Sequence, residues 1–357
     1  MKKITALLIL ILTWYIAGKY RYISLMILAF TELALLMVMF VLPKITKHFF
    51  NMEFSAKNQT AHKNVQFPCD LKINNRNVLP LNHLQVKMYF QYKNFPKNKK
   101  MQKLLGFTGY KSKEQLRFQI QAPYCGLLQA KLVSCQVYDC FALFSSHKKL
   151  KQYAQVAVLP QQNALNIDFS NYNQNGGNDF GEHTVLKNGD DHNEILQLRE
   201  YRNGDSMRTV HWNYSAKTDQ LWVKEYSHEA DKYIHLIADT STRQKYNIKD
   251  MDAFYEILSA MVQGLIQQNI PVCVYWYNEE KGGLQFMEVT DSNQREEMLL
   301  QLYQSPISAQ APVPAVAENS PVMQLNLNLE WSFNNYLIYR FSKTDFKNEI
   351  NQYIFTL

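Results

Sequence analysis

Two apolar runs open the chain: ITALLILILTWYIAG over residues 4–18 and YISLMILAFTELALLMVMFVL over residues 22–42. A helix needs about 20 apolar residues to cross bilayer hydrocarbon, with a lower limit near 17. The second run meets that length. The first reaches it if Lys2, Lys3 and Lys19 extend their stems toward the headgroups. The pattern predicts a two-helix transmembrane anchor over residues 1–48. A cleaved signal peptide is the rival for the first run. Against it, no small-x-small site precedes the polar Gly18-Lys19-Tyr20-Arg21 turn, and a second apolar run follows at once. Lys2, Lys3, Lys44 and Lys47 flank the open end, whereas Lys19 and Arg21 stand in the turn. This bias places both termini, and the body, on the cytoplasmic side of a multi-pass cell-membrane protein. Glu32 lies in mid-span, where a carboxyl is costly. A hydrogen bond to Thr13 or Ser24 is the simple account, and a transport path the functional one.

Past the anchor the hydrophobic period becomes two. Leu84–Phe90, Leu116–Ile120 and Ala130–Val137 alternate apolar and polar residues between breaks of Asn, Lys and Pro. Such runs predict half-buried strands and an antiparallel β-sandwich over residues 49–168. Phe141, Leu143 and Phe144 are expected to plug its core. Residues 169–195, rich in Asn and Gly, read as a polar linker. Their glycine spacing does not fit a phosphate loop.

From residue 232 the period alternates between strand and helix. Tyr233–Ala238 reads as a buried parallel strand ending at Asp239. Asp252–Gln268 places Phe254, Ile257, Leu258, Met261, Leu265 and Ile266 on one helical face. Strand patterns follow at Val272–Tyr277, Leu284–Val289 and Tyr336–Tyr339, with a helical one at Arg295–Tyr303. Residues 305–321 are a Pro/Ala-rich loop. Strand–helix–strand order predicts an α/β domain over residues 232–357 built on a doubly wound sheet. The fold class is α+β multidomain: transmembrane hairpin, antiparallel sandwich, carboxy-terminal α/β domain.

Composition narrows the function. The 357 residues carry a formal net charge of +7 at pH 7, with 46% hydrophobic residues. The mild positive charge suits an anionic membrane surface. Lys and Arg are spread along the chain without a nucleic-acid-binding motif, so no nucleic acid is expected. The five cysteines (Cys69, Cys125, Cys135, Cys140, Cys273) form no Cys-x-x-Cys pair. Buried free thiols in a reducing compartment are the simplest reading. A Cys135–Cys140 or Cys125–Cys135 disulfide stays open for an exported body.

The densest chemistry lies in residues 196–231, at LREYRNGDSMRTVHWNYSAKTDQLWVKEY, Leu198–Tyr226. Charges alternate around an Asn203-Gly204 turn, and arginines beside carboxylates can pair in bidentate geometry. An ion-paired surface turn is the plain reading. The order Arg199-Glu200-Tyr201, Gly204-Asp205, Arg208, Val210, Trp212, Ser215-Ala216 and Val223-Lys224-Glu225 resembles the signature of one bacterial family, domain of unknown function 58. Val137–Phe144 resembles that family's Asp-Pro-Phe-Gly-Leu-Phe turn, with Cys140 for Pro and Ala142 for Gly. Ala resists the positive φ that Gly permits, which puts the turn's conformation in question. The strand Val156–Pro160 is similar to the one that closes the family's sandwich.

Asp239-Thr240-Ser241-Thr242-Arg243, at the carboxyl end of a strand, resembles the Asp-x-Ser-x-Ser of von Willebrand factor A-like domains. The resemblance implies Mg²⁺ on the oxygens of Asp239 and Ser241. Arg243 replaces the last Ser with a positive charge, so a degenerate, metal-free site is the equal alternative.

The family resemblance implies a scaffold or adaptor, not an enzyme. Its partners would be the lipid bilayer, a MoxR-type AAA+ ATPase and other membrane proteins, in assembly or maturation of envelope proteins. The alternatives are a metal-dependent hydrolase using Asp239, His211 and Asp205, or an extracytoplasmic cell-wall binder. Arg199, Glu200, Asp205, Arg208 and Trp212 are expected either to clamp the sandwich to the α/β domain or to form an exposed docking surface. Tyr201, Gly204, Ala216 and Glu225 complete the signature.

Overall fold

The computed structural model describes residues 2–20, 22–170, 195–201, 210–218, 220–226, 233–241, 246–307 and 321–357. The chain starts with helices α1 (Lys2–Tyr20) and α2 (Ile23–Thr46). They pair as a hairpin: Trp14 meets Phe30 edge-to-face at 5.5 Å, and Thr13 Oγ1 donates to Glu32 Oε2 at 2.7 Å. Glu32 thus has the Thr13 partner that the sequence offered it. Ile4, Leu8, Leu12, Leu33, Met37 and Val38 are exposed around both helices. Both helices are long and apolar enough to cross a bilayer.

Eight strands follow: β1 (Phe50–Phe54), β2 (Asn58–His62), β3 (Gln66–Asn75), β4 (Leu81–Tyr92), β5 (Phe95–Thr108), β6 (Lys113–Gln121), β7 (Gly126–Tyr138) and β8 (Ser145–Leu159). They form sheets β1-β3-β6 and β2-β8-β7-β4-β5. Inward residues alternate as the period-two pattern requires, with Met52, Leu71, Ile73, Val86, Met88 and Val137 fully buried. One pairing departs from the expected antiparallel scheme. β2 joins β8 in parallel, Asn58 opposite Gln155.

After β8 the chain runs as a strap through β9 (Asn166–Asp168), which pairs in parallel with the final strand β18 (Ile354–Thr356). The expected linker falls almost entirely outside the described residues. The signature segment contributes β10 (Ile195–Glu200), α3 (Trp212–Thr218) and β11 (Trp222–Tyr226), with β10 and β11 antiparallel.

The carboxy-terminal sheet contains β12 (Ile234–Asp239), β13 (Val272–Asn278), β14 (Gly283–Val289), β15 (Val322–Asn326), β16 (Glu330–Phe333) and β17 (Tyr336–Arg340), in order β14-β13-β12-β15-β16-β17. Its three central strands are parallel. Helices α4 (Ile248–Gln267), α5 (Ser292–Gln304) and α6 (Phe346–Gln352) accompany it. A capping box between Asn247 and Asp250 starts α4 one turn earlier than its apolar pattern suggests. The doubly wound expectation needs correction. α4 and α5 lie side by side, with Tyr255 and Tyr303 rings 4.6 Å apart, and both cover the sheet face that carries Ile234, Leu236, Val274 and Trp276. On the opposite face, Ile237, Tyr275 and Tyr277 are half-buried and Phe286 is exposed.

α4 is buried on almost every side. The sheet covers one face and the sandwich the other, with Cys125, Leu127, Ala157 and Leu159 joining the α/β core. This explains why the helix carries apolar residues well beyond a single stripe.

Candidate functional site

The sandwich and the α/β domain meet at a buried charge cluster. Asp252 and Glu256 stand one helical turn apart on α4, so their carboxylates share a face. Lys63, in the β2–β3 turn, forms ion pairs with both. Its backbone is pinned by its own N–H to Leu159 O at 2.9 Å and by Asn64 N–H to Ala122 O at 2.9 Å. Cys125 N–H donates to Asp252 Oδ1 at 2.7 Å from the β6–β7 turn. Gly126 supplies the positive φ of 121° with which that turn enters β7. Lys347 of α6 approaches Glu256 Oε1 at 3.6 Å. Three separate segments therefore converge on two carboxylates of α4.

Burial works to lower the Lys63 pKa, but its hydrogen bonds to Asp252 and Glu256 outweigh that and hold it above its ordinary value. Burial pushes the Cys125 thiol well up. A protonated lysine has no lone pair to attack with, and an undissociated thiol is a poor nucleophile. Ligand atoms of Cys125, Asp252 and Glu256 lie within 4.8 Å of one another, but the Lys63 ammonium already stands against both carboxylates. The cluster is built as a joint. The sequence signal for it was the i, i+4 carboxylate pair Asp252 and Glu256 among the apolar residues of that helix, and reading only the apolar face missed it.

Asp239 and Ser241 do come together at the carboxyl end of β12. Asp239 Oδ1 accepts from Ser241 N–H at 2.9 Å and from Ser241 Oγ at 2.6 Å, and Oδ2 accepts from Gln324 Nε2 at 3.2 Å. This end lies between the parallel neighbours β12 and β15, with Asp239 opposite Asn326. Arg243 lies outside the described residues. Thr290 and Asp291 serve elsewhere, bonding Gln294 at the start of α5. A Mg²⁺ ion wants an octahedral oxygen shell. Asp239 accepts from Ser241 and Gln324 with its two oxygens, so the described groups fit a closed turn better than the ion.

The signature residues divide. Gly204, Asp205 and Arg208 lie outside the described residues. Arg199 and Glu225 contribute paired backbone in β10 and β11. Glu200 and Ala216 are exposed, and Tyr201 is half-buried with its N–H on Leu221 O at 2.8 Å. Val210 and Val223 are buried against each other. Trp212 is 58% exposed, so it fills no seam between domains. His211 Nδ1 accepts from Tyr214 N–H at 3.2 Å, a helix-capping role. His211 and Asp239 are thus each used locally, and a hydrolytic pair is not assembled from them.

The turn Val137–Phe144 also differs from expectation. Phe141 is 61% exposed and Phe144 packs on Phe40 of α2 at 5.5 Å; neither plugs the sandwich core. Ala142 adopts φ 56°, so the glycine-like turn survives without glycine. Asp139 holds it, accepting from Phe144 N–H at 3.0 Å.

No curated protein matches the chain. Among solved structures, the CARDB domain of PF1109 from Pyrococcus furiosus is 12% identical over 31% of this chain and 94% of that chain, with TM-score 0.23. A superoxide reductase (neelaredoxin) from Ignicoccus hospitalis is 16% identical over 29% of this chain and 79% of its own, with TM-score 0.19. A family 123 glycoside hydrolase from Clostridium perfringens is 10% identical over 34% of this chain and 30% of its own, with TM-score 0.21. Residues 197–310, less than half of the chain, match the family model described as "Protein of unknown function DUF58", which supports the resemblance first carried by Arg199–Glu225.

Proposed function

We propose that this chain is a membrane-anchored scaffold of the domain-of-unknown-function 58 type. The hairpin sits in the bilayer, the sandwich is a stem, and the α/β domain, von Willebrand factor A-like in its expected role, is displayed in the cytoplasm. The signature surface docks a MoxR-type AAA+ ATPase acting in assembly or maturation of envelope proteins. The observation that carries the docking reading over the clamp is the exposure of Trp212, beside exposed Tyr214 and Leu221. Exposed aromatic residues are favoured anchors for a partner. The basic flanks of the hairpin and the five free cysteines support a cytoplasmic body.

The test uses the full chain in detergent. Trp212→Ala should leave the melting temperature almost unchanged while reducing recovery of the ATPase in a quantitative pull-down. An unchanged melt with unchanged recovery would sink the docking reading. Alkaline-phosphatase activity of a fusion after Leu357 would overturn the cytoplasmic orientation.

A further inference from the structure

All three loops at one end of the sandwich share a composition that loop tips rarely have. Strand registers place the β3–β4, β5–β6 and β7–β8 loops at the end where α2 enters: Phe50 faces Asn75, Asn74 faces Lys113 and Leu84 faces Val137. Loop tips are ordinarily polar. Here they expose Val78 (70%), Tyr110 and Phe141, and Phe49 is exposed beside them at the start of β1. The basic residues Lys44, Arg76 and Lys111 are exposed at the same end. The one carboxylate in these loops, Asp139, is buried in its own turn. The opposite end looks different because it is occupied. There Cys125 and Lys93 bond to Asp252 and Gln304 of the α/β domain.

The hairpin end is held close to α2. Asn77 Nδ2 donates to Thr46 O at 3.1 Å, Arg76 N–H donates to Phe49 O at 2.9 Å, and Phe144 packs on Phe40. Lys3 stands over the Phe144 ring at 5.5 Å and Lys44 over Phe40 at 3.7 Å. Ile23–Leu42 rises about 30 Å as a helix, the thickness of the hydrocarbon, so Lys44 falls at the headgroup level. Loops fixed beside that residue fall there too.

We propose that this end of the sandwich is itself a lipid-binding face. Phe49, Val78, Tyr110 and Phe141 enter the headgroup–acyl boundary, and Arg76, Lys44 and Lys111 meet the phosphates of anionic lipids. The stem thereby stands on the membrane instead of swinging from the hairpin, which fixes the height of the α/β domain. The inference rests on the hairpin being in the bilayer.

Cys140 offers a native probe, since it is exposed in the β7–β8 turn while the other four cysteines are buried. The full chain is labelled there with an environment-sensitive fluorophore and reconstituted in vesicles of phosphatidylcholine and phosphatidylglycerol. Lipids brominated near the carbonyl end of the acyl chain should at least halve its emission. Phe141→Glu should remove most of that quenching. A control variant, Ile11→Cys with Cys140→Ser, carries the label at the middle of α1 and is read with lipids brominated toward the acyl-chain end. If the Ile11→Cys label is quenched and the Cys140 label is not, the anchor stands and the lipid-binding face is refuted. If neither is quenched, the anchor falls and the face with it.

Discussion

Lys63 and Asp252, 189 residues apart in sequence, form a buried ion pair across the seam between sandwich and α/β domain. Glu256 completes the site from the next turn of α4. Removing one member of a buried pair leaves the other charge unpaired and costs about 3–5 kcal/mol. Lys63→Met should therefore destabilise the body by that amount, measured by denaturant unfolding. Combining it with Asp252→Asn and Glu256→Gln should recover part of the loss, because the uncompensated charges go while an acceptor stays for the Cys125 N–H. The contribution also has a pH signature. A lysine held above its ordinary 10.5 stabilises fully below that value and loses its effect as pH rises past its raised folded pKa. The native chain should keep this contribution through neutral pH and lose it only in strong alkali, read from its denaturant unfolding across pH. A loss of that contribution already near pH 7 would refute the assignment.

Gly264 lies where α4 touches the strap. A Cβ there would collide with the Leu165 carbonyl oxygen, and Leu165 N–H is bonded to Ala260 O at 2.9 Å, so the backbone has little room to retreat. Gly→Ala inside a helix normally stabilises by about 1 kcal/mol. Here Gly264→Ala should lower stability, by about 1–3 kcal/mol for an overpacked core. A raised melting temperature would show that the strap yields.

Thiol titration should separate one cysteine from four. Burial pushes Cys69 to about 11 and Cys135 to about 12, and holds the Cys125 thiol well above its ordinary value. Cys273 is buried, and Cys140 is exposed. Ellman's reagent at pH 8 should react quickly with one thiol per folded chain and with the rest only on unfolding. Rapid reaction of two or more would contradict the packing.

Asp239 gives a metal test. With its oxygens taken by Ser241 and Gln324, millimolar Mg²⁺ should not raise the melting temperature, and Asp239→Ala should cost stability equally with and without the ion. A Mg²⁺-dependent rise that Asp239→Ala abolishes would restore the cation site.

The sequence by itself determined what depends on near neighbours. Period-two runs gave the sandwich strands, because side chains alternate across a pleat whatever lies beyond. The apolar lengths of α1 and α2, the strand ending at Asp239 and the signature around Trp212 were likewise legible. Tertiary structure alone decided what depends on distant partners. Asp252 and Glu256 looked like two polar interruptions of a helix until folding brought Lys63 between them. Phe141 and Phe144 had core-like chemistry, but the end of the sandwich they occupy faces α2, so one packs on Phe40 and the other stays exposed. Trp212 had the size for a seam and stands on the surface instead. Hydrophobicity says that a side chain benefits from burial; which neighbour covers it is set by strand order and register, and these no local pattern contains.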